Sequence, residues 1–404
     1  MKYVVVLGDG MADYRLAAFN NKTPLQLAYK PNMDKLAQVS ETGMVKTIPE
    51  GFPPGSDVAN MSVLGYEPEN YYTGRSPIEA VSMGVDLGEN DIAFRCNLVT
   101  LSEEDNYQEK TMVDYSSEEI TSAEAAELIN DINREIGTEE FRFYPGISYR
   151  HLLVWVNGRE NFKLTPPHDI SDRVIGSYLP QGPGSEVLTR MMMKSYEILK
   201  EHPVNKKRKA RGLRPATSIW LWGQGKKPAF APFREKYGLT GAVICAVDLI
   251  KGLGLCAGLA APLVPGATGG VHTNFLGKAE AALAELKAGQ DFVYVHVEAP
   301  DEAGHQGNVA EKIGAIEKID EQVVGRLVQG LKEMGEDYRM LILPDHPTPV
   351  SIKTHTTEPV PFILYDSRKT VSSGINSYTE EEIEASGLFI SDGPALMKRL
   401  ICGE

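Results

Sequence analysis

Short apolar runs that stop at acidic residues recur along this chain. Val4-Val5-Val6-Leu7 ends at Gly8-Asp9-Gly10, and an uninterrupted run of that length predicts a buried parallel strand that delivers Asp9 at its carboxyl end. Residues 291–299 alternate into a strand that breaks at Pro300-Asp301, and residues 339–346 predict a strand ending at Asp345-His346. Residues 217–225 and 242–247 read as further strands. Between them, apolar residues at three- and four-residue spacing over 278–289 and 309–335 predict helices. Strands alternating with helices predict an α/β fold with a mostly parallel sheet flanked by helices. In such sheets ligands bind beyond the carboxyl ends of the strands, so Asp9, Asp301 and Asp345-His346 are expected at one site.

The stretch from about Asp91 to Ala210 follows a different pattern. Strands over 92–101 and 151–156 and helices over 118–136 and 184–202 predict a smaller α+β domain inserted into the first. The expected boundaries are 1–88 with 211–404 for the core and 89–210 for the insertion. The segment ends in the basic, poorly periodic run 205–215, which is either a solvated linker or a source of anion-binding side chains. The most apolar stretch, 241–264, is broken by Gly252, Gly254, Gly258, Asp248 and Lys251, so it predicts strand, helix and strand rather than a membrane span.

Composition narrows the function classes. The chain has 404 residues and a net charge of −14, which argues against a nucleic-acid binder because phosphate backbones demand a basic face. A small anionic substrate remains compatible, since metals and a few arginines can make one site locally positive. The four cysteines form no C-x-x-C pair, which excludes a thiolate zinc site and fits a reducing compartment. The first apolar run is too short for a signal peptide, and a cytoplasmic location is expected.

The candidate chemistry is that of a metal centre. Divalent cations that activate phosphoryl groups take carboxylate oxygens and imidazole nitrogens. Asp301 and His305, four apart, share one face of a helical turn. Asp345 and His346, adjacent on a strand end, are expected to point to opposite sides and so serve two ions, which in two-metal sites lie about 3.5–4 Å apart. Ser56 lies in Gly55-Ser56-Asp57 at the start of a predicted helix, where the dipole and free N–H groups favour an incoming anion. A metal beside it would make the hydroxyl a nucleophile. Arg150, His151, His168, Asp169, Asn205 and Arg208 in the inserted segment are candidates for holding an anion, with Arg75 and Lys278 as further ones.

These motifs resemble the archaeal-type cofactor-independent (2,3-bisphosphoglycerate-independent) phosphoglycerate mutases of the alkaline phosphatase superfamily. The likeness runs end to end through residues 8–13 (GDGMAD), 54–60 (PGSDVAN), 71–80 (YYTGRSPIEA), 145–151 (PGISYRH), 220–225 (WLWGQG), 300–305 (PDEAGH), 344–346 (PDH) and 355–361 (HTTEPVP). It implies an alkaline-phosphatase-like core, an inserted substrate-binding cap domain and two divalent metals, manganese first, zinc or magnesium as alternatives, with no 2,3-bisphosphoglycerate. By the resemblance Asp301, His305 and His355 hold one metal, and Asp9, Ser56, Asp345 and His346 the other. Ser56 becomes phosphoserine as the phosphoryl group passes between positions 3 and 2 of glycerate. Arg150, His151, His168, Asp169, Asn205, Arg208 and Lys278 match positions that handle the small phosphorylated hydroxy acid. The sequence departs from the family at Ser76, at Pro347 and at Gln306-Gly307-Asn308, which bears on substrate identity more than on chemistry. A homoserine kinase, another phosphotransferase or a phosphatase on the same scaffold is the alternative, and a non-catalytic metal-stabilised protein the remaining one. Homo-oligomerisation is left open.

Overall fold

The computed structural model describes residues 1–403. The chain forms two compact units, one of Met1–Tyr72 with Ala229–Glu404, the other of Thr73–Pro228. The described strands are β1 (Lys2–Gly8), β2 (Glu41–Val45), β3 (Ile92–Leu101), β4 (Met112–Asp114), β5 (Phe141–Tyr144), β6 (Arg150–Trp155), β7 (Ser218–Gly225), β8 (Gly241–Ile244), β9 (Phe292–Val297), β10 (Tyr338–Leu343), β11 (Val360–Asp366) and β12 (Phe389–Ile390).

The first unit contains a seven-stranded sheet in the order β12-β2-β11-β10-β1-β9-β8. Only β11 runs against the others. The central strands β9, β1 and β10 are apolar on both faces because helices cover both faces, as a parallel sheet requires. Val4, Val6, Val293, Val295, Met340 and Ile342 pack with Leu283, Leu286, Ile316, Val323, Leu327 and Leu331 from helix Phe275–Lys287 and the helical stretch 309–334 in one buried cluster. The periodic pattern over 309–335 is interrupted by a π-helical segment, Ile319–Gly325. Its Asp320 accepts hydrogen bonds from the backbone N–H groups of Met33 (2.7 Å) and Asn32 (3.1 Å), so it satisfies free donors at the start of helix Pro31–Gln38.

In the second unit β7, β3, β6 and β5 lie side by side, all antiparallel, and β4 pairs with the end of β3. Helices Ser122–Ile136 and Glu186–Leu199 supply Leu128, Ile129, Ile132, Leu188 and Met192 to the core on one face. Helix Arg75–Ser82 packs on β3 and β7. The unit therefore begins at Thr73 and ends at Pro228, earlier than residue 89 and later than residue 210, because this helix and β7 belong to its sheet. Residues 217–225, expected beside the parallel strands, pair instead with β3. The basic run is not a linker: Pro203–Ala210 is a helix, opened by Pro203 and capped by the His202 ring, which accepts from the Val204 N–H. Among the described residues no helix is long and apolar enough to cross a membrane, and all four cysteines are free.

One buried ion pair ties the first unit's functional loops together. Lys312 and Asp13 are fully buried with Nζ and Oδ2 2.7 Å apart. The same ammonium donates to the carbonyls of Ala12 (3.2 Å) and Thr348 (2.8 Å). It thus joins the segment after β1 to the segment after β10. Lys312→Ala leaves a buried carboxylate unpaired, so a loss of about 3–5 kcal/mol is expected, read as a lowered denaturant midpoint. An unchanged midpoint would show that the pair is not holding these loops.

Candidate metal centre

The parallel register brings the ligand segments together. β9, β1 and β10 are adjacent and run the same way, so Asp9, Asp301 and Asp345 all emerge at one end of the sheet, as the sequence predicts. Gly10 lets the chain turn there: its φ is +64°, and a Cβ on it would lie 2.8 Å from the Asp301 Cα. β2 runs parallel to β10, so the segment that leads to Ser56 departs from the same end. β11 runs the opposite way, so His355, which precedes it, arrives there too. Ser56 is the first residue of helix Ser56–Val63, with Gly55 at the cap. Asp301 and His305 lie on helix Ala299–Gln306.

Two sets of atoms converge. In the first, His305 Nε2 lies 3.3 Å from Asp301 Oδ2 and 2.8 Å from His355 Nε2, and His355 Nε2 lies 3.3 Å from Asp301 Oδ1. In the second, His346 Nε2 lies 3.4 Å from Asp345 Oδ2, 3.7 Å from Asp9 Oδ1 and 3.1 Å from Ser56 Oγ. The structure thus gathers all seven expected metal-site residues. His346 also falls into one potential ligand group with Asp301 and His355, so the two sets are continuous. Asp345 and His346 do not point to opposite sides as expected. β10 ends at Leu343, and beyond it the alternation of a strand no longer applies.

Hydrogen bonds set the histidine tautomers. Thr348 Oγ1 donates to Asp301 Oδ1 (2.5 Å), so it is free to accept from His346 Nδ1 (3.3 Å). That leaves the His346 Nε2 lone pair facing Ser56 and the carboxylates. His305 Nδ1 donates to the Lys353 carbonyl (3.0 Å), which directs its Nε2 to Asp301 in the same way. Such outer contacts orient metal-binding histidines. Asn60 performs the corresponding task for a carboxylate: it donates to Asp345 Oδ2 (2.8 Å) and accepts from the Tyr294 hydroxyl (2.7 Å).

The electrostatics call for cations. Burial, followed by the charges of Asp345, Asp301 and Glu298, pushes the Asp9 carboxyl well above the usual range. Asp9 Oδ1 is buried without a hydrogen-bond partner among the described residues, while Oδ2 lies 3.0 Å from His296 Nε2. Burial pushes His346 down and His296 down to about 3, which keeps both imidazoles neutral, the form that binds metals. Against the pull of burial, His305 and His355 hold Asp301 well below its ordinary value. An orphaned carboxylate oxygen, mutually repelling acids and lone-pair nitrogens on one point fit divalent metal ions.

The expected anion-handling residues fare unevenly. Lys278 is buried in the first unit and donates to the His296 carbonyl (2.8 Å); burial lowers its pKa to about 8, opposed by Cys245, Glu298 and Asp9. The others lie in the second unit. Arg150 is exposed at the start of β6. His168 packs edge-on to Trp222, with Asp169 Oδ1 3.7 Å from its ring. Three of the expected residues are buried within the fold. Asn205 bonds both polar ends to Leu199 and Ala216 backbone groups. Arg208 is spent on Glu124, Ser117 and Arg214. His151 is 2% exposed and accepts from the Gly146 N–H. His296, Asn60, Thr348 and Glu298 were missed in the sequence. His296 was visible as the one polar residue in the apolar strand 292–297, and Asn60 as the residue one helical turn after Ser56.

Comparison with known proteins places these features in context. A family model described as 2,3-bisphosphoglycerate-independent phosphoglycerate mutase matches residues 37–205, and one described as type I phosphodiesterase / nucleotide pyrophosphatase matches residues 183–358. The chain is 51% identical, over 99% of its length and all of the relative's, to a Geobacter sulfurreducens protein named "Probable 2,3-bisphosphoglycerate-independent phosphoglycerate mutase". It is 49% identical to the 2,3-bisphosphoglycerate-independent phosphoglycerate mutase of Methanothrix thermoacetophila, over the full length of both. Among solved structures, the cofactor-independent phosphoglycerate mutase of Thermoplasma acidophilum is similar with a TM-score of 0.65 and 26% identity, covering 99% of this chain and 100% of that one. A Pyrococcus horikoshii protein superposes with a TM-score of 0.82 and 27% identity, covering 99% of this chain and 96% of that one.

The centre makes a pH-dependent prediction. Asp301 raises the His305 pKa to about 9 against the effect of burial, so the metal-free protein holds a proton there at neutral pH. That proton must leave before Nε2 can bind a cation. Manganese binding at pH 7 is therefore expected to release at least about one proton per protein, with apparent affinity rising as pH increases toward 9. Calorimetry in two buffers of different ionisation enthalpy measures the release. Release of no protons, with affinity flat across this range, would contradict the assignment of His305 as a ligand.

Proposed function

This chain belongs to the 2,3-bisphosphoglycerate-independent phosphoglycerate mutase family, and we propose that it interconverts 3-phosphoglycerate and 2-phosphoglycerate through a phosphoryl group carried on Ser56. The observation that carries this reading is the Ser56 hydroxyl, 3.1 Å from His346 Nε2, at a helix N-terminus among Asp and His side chains. Asp301, His305 and His355 would hold one divalent ion, and Asp9, Asp345, His346 and Ser56 the other; manganese is proposed, with zinc or magnesium as alternatives. Bound there, the ions neutralise phosphoryl oxygens and lower the pKa of the serine hydroxyl.

The chain's own residues do the rest. Ser56 Oγ attacks phosphorus; the bond from phosphorus to the 3-oxygen of glycerate breaks and the bond to Ser56 forms. The proton lost by Ser56 balances the one gained by the departing 3-oxygen. The 2-hydroxyl of the retained glycerate then attacks phosphoserine in the reverse sense, so no 2,3-bisphosphoglycerate is consumed. The helix that begins at Ser56 directs its dipole at the transferred group. Asn60, anchored by Tyr294, keeps Asp345 turned toward it. The second unit is proposed as the cap that binds the rest of the substrate, in a cytoplasmic enzyme of glycolysis and gluconeogenesis.

Purified protein loaded with manganese is expected to form 2-phosphoglycerate from 3-phosphoglycerate without added 2,3-bisphosphoglycerate. Ser56→Ala is expected to lower kcat by about a thousandfold or more, with circular dichroism unchanged. Release of inorganic phosphate alone, or phosphorylation of homoserine by ATP with no 2-phosphoglycerate, would replace this reading by a phosphatase or a kinase on the same scaffold.

A further inference from the structure

Three sets of potential metal ligands lie at the ends of β1, β9 and β10, and the two proposed ions account for only two of them. Asp301 with His346 and His355, and Asp9 and Asp345 with His346, each include an imidazole. The third set, Asp9, Glu298 and Asp301, consists of carboxylates alone, with one oxygen of each within 4.8 Å of the others. An all-oxygen set suits a hard cation such as magnesium or manganese. Asp9 and Asp301 are buried and Glu298 is half-buried. Glu298 stands just before helix Ala299–Gln306, and a neighbouring loop closes on its carboxylate: a Cβ on Gly269 would lie 2.3 Å from Glu298 Oε2. The set is therefore enclosed by the fold rather than scattered on the surface.

A cation of the chain's own acts on this set. Lys278 is fully buried, and its Nζ donates to the His296 carbonyl (2.8 Å). The His296 ring places Nε2 3.0 Å from Asp9 Oδ2, and two residues further on the same strand end delivers Glu298. Among the described residues Lys278 makes no ion pair; its hydrogen-bond partner is that carbonyl. Burial lowers its pKa, and Cys245, Glu298 and Asp9 oppose the shift. Burial pushes the Cys245 thiol up to about 12, so Cys245 stays neutral and the two acids are the counter-charges. The position is otherwise unfavourable for lysine. Lys278 lies in the first turn of helix Phe275–Lys287, whose start is capped by Asn274 Oδ1 accepting from the Gly277 N–H (2.8 Å). There the helix dipole repels a cation, and burial adds the cost of desolvation. The nearby acids are what offsets both.

We propose that Lys278 is the third cation of the centre: its ammonium balances the Asp9, Glu298 and Asp301 carboxylates and keeps a third divalent ion from binding among them. A single charge in a buried, low-dielectric setting acts on acids beyond hydrogen-bond distance, and it repels a divalent ion that enters the same set. Without that charge, three clustered carboxylates face no positive group of the chain's own and become a site for a hard ion. The role rests on the two-ion reading of the centre and explains why the number stops at two.

The test counts ions. Full-length wild-type protein and Lys278→Met, which keeps an unbranched side chain and loses the charge, are dialysed to equilibrium against manganese and, separately, against magnesium, and the metal bound per chain is measured. Wild type is expected to hold two ions and Lys278→Met three. Lys278→Met combined with Glu298→Gln is expected to return to two, because the third set then lacks an acid; this double variant separates that set from ions held loosely on an acidic surface. Circular dichroism reports the fold, and Lys278→Gln, which brings a neutral amide toward the His296 carbonyl, serves if Lys278→Met does not fold. The proposal is overturned if wild type binds three ions, if the folded charge-free variant binds no more than wild type, or if the extra ion persists in the double variant. Wild-type protein that binds fewer than two ions would remove the two-ion reading, while a gain of one ion on loss of the Lys278 charge would still uphold the role of Lys278.

Discussion

Asp9, Asp301 and Asp345 are buried together where three parallel strands end, and without a cation their charges oppose one another. The strain is visible in Asp9, whose carboxyl is driven well above its ordinary value by burial and by its acidic neighbours. Folding accepts this arrangement because the sheet register leaves no choice: β9, β1 and β10 are fixed by long apolar pairing, and their ends converge. The ion pair of Lys312 with Asp13 holds the backbone around the cluster, and Asn60, Thr348 and Lys353 orient Asp345, His346 and His305. Supporting bonds of this kind separate a metal centre from a chance gathering of acids.

Ser56 depends on the same constraint. Its helix is joined to the cluster through Asn60, which spans from the Ser56 carbonyl (2.9 Å) to Asp345. The hydroxyl therefore lies against His346 because of the helix that carries it, and this helix also presents its positive end there. In the proposed reaction the nucleophile and the cation site are consequently one assembly, and a cation held there would let a weakly acidic hydroxyl accept a phosphoryl group at neutral pH.

Much of this was legible in the sequence because it followed from strand ends. Apolar runs that halted at Asp9, Asp301 and Asp345 located the centre, and the four-residue spacing of Asp301 and His305 gave their shared face. What failed did so for physical reasons. Asp345 and His346 were assigned opposite directions by strand alternation, but the strand stops two residues before Asp345. Arg208 and Asn205 looked like anion ligands, yet a basic helix folded over the second unit's core uses them internally. Residues 217–225 have the pattern of a strand in either sheet, and pairing partners far away in sequence decide between them. His296 went unnoticed inside an otherwise apolar strand, where its polarity stands out but only its tertiary neighbour Asp9 reveals its role.

The most direct test of the account is the covalent state of Ser56 during turnover. Manganese-loaded protein mixed with 3-phosphoglycerate, quenched in acid within one turnover and digested, should yield a peptide spanning Ser56 that carries one phosphoryl group on that residue. The modification should vanish once the substrate is removed. Formation of 2-phosphoglycerate with Ser56 unmodified at every quench time, and the phosphoryl group found on another side chain, would contradict the central claim.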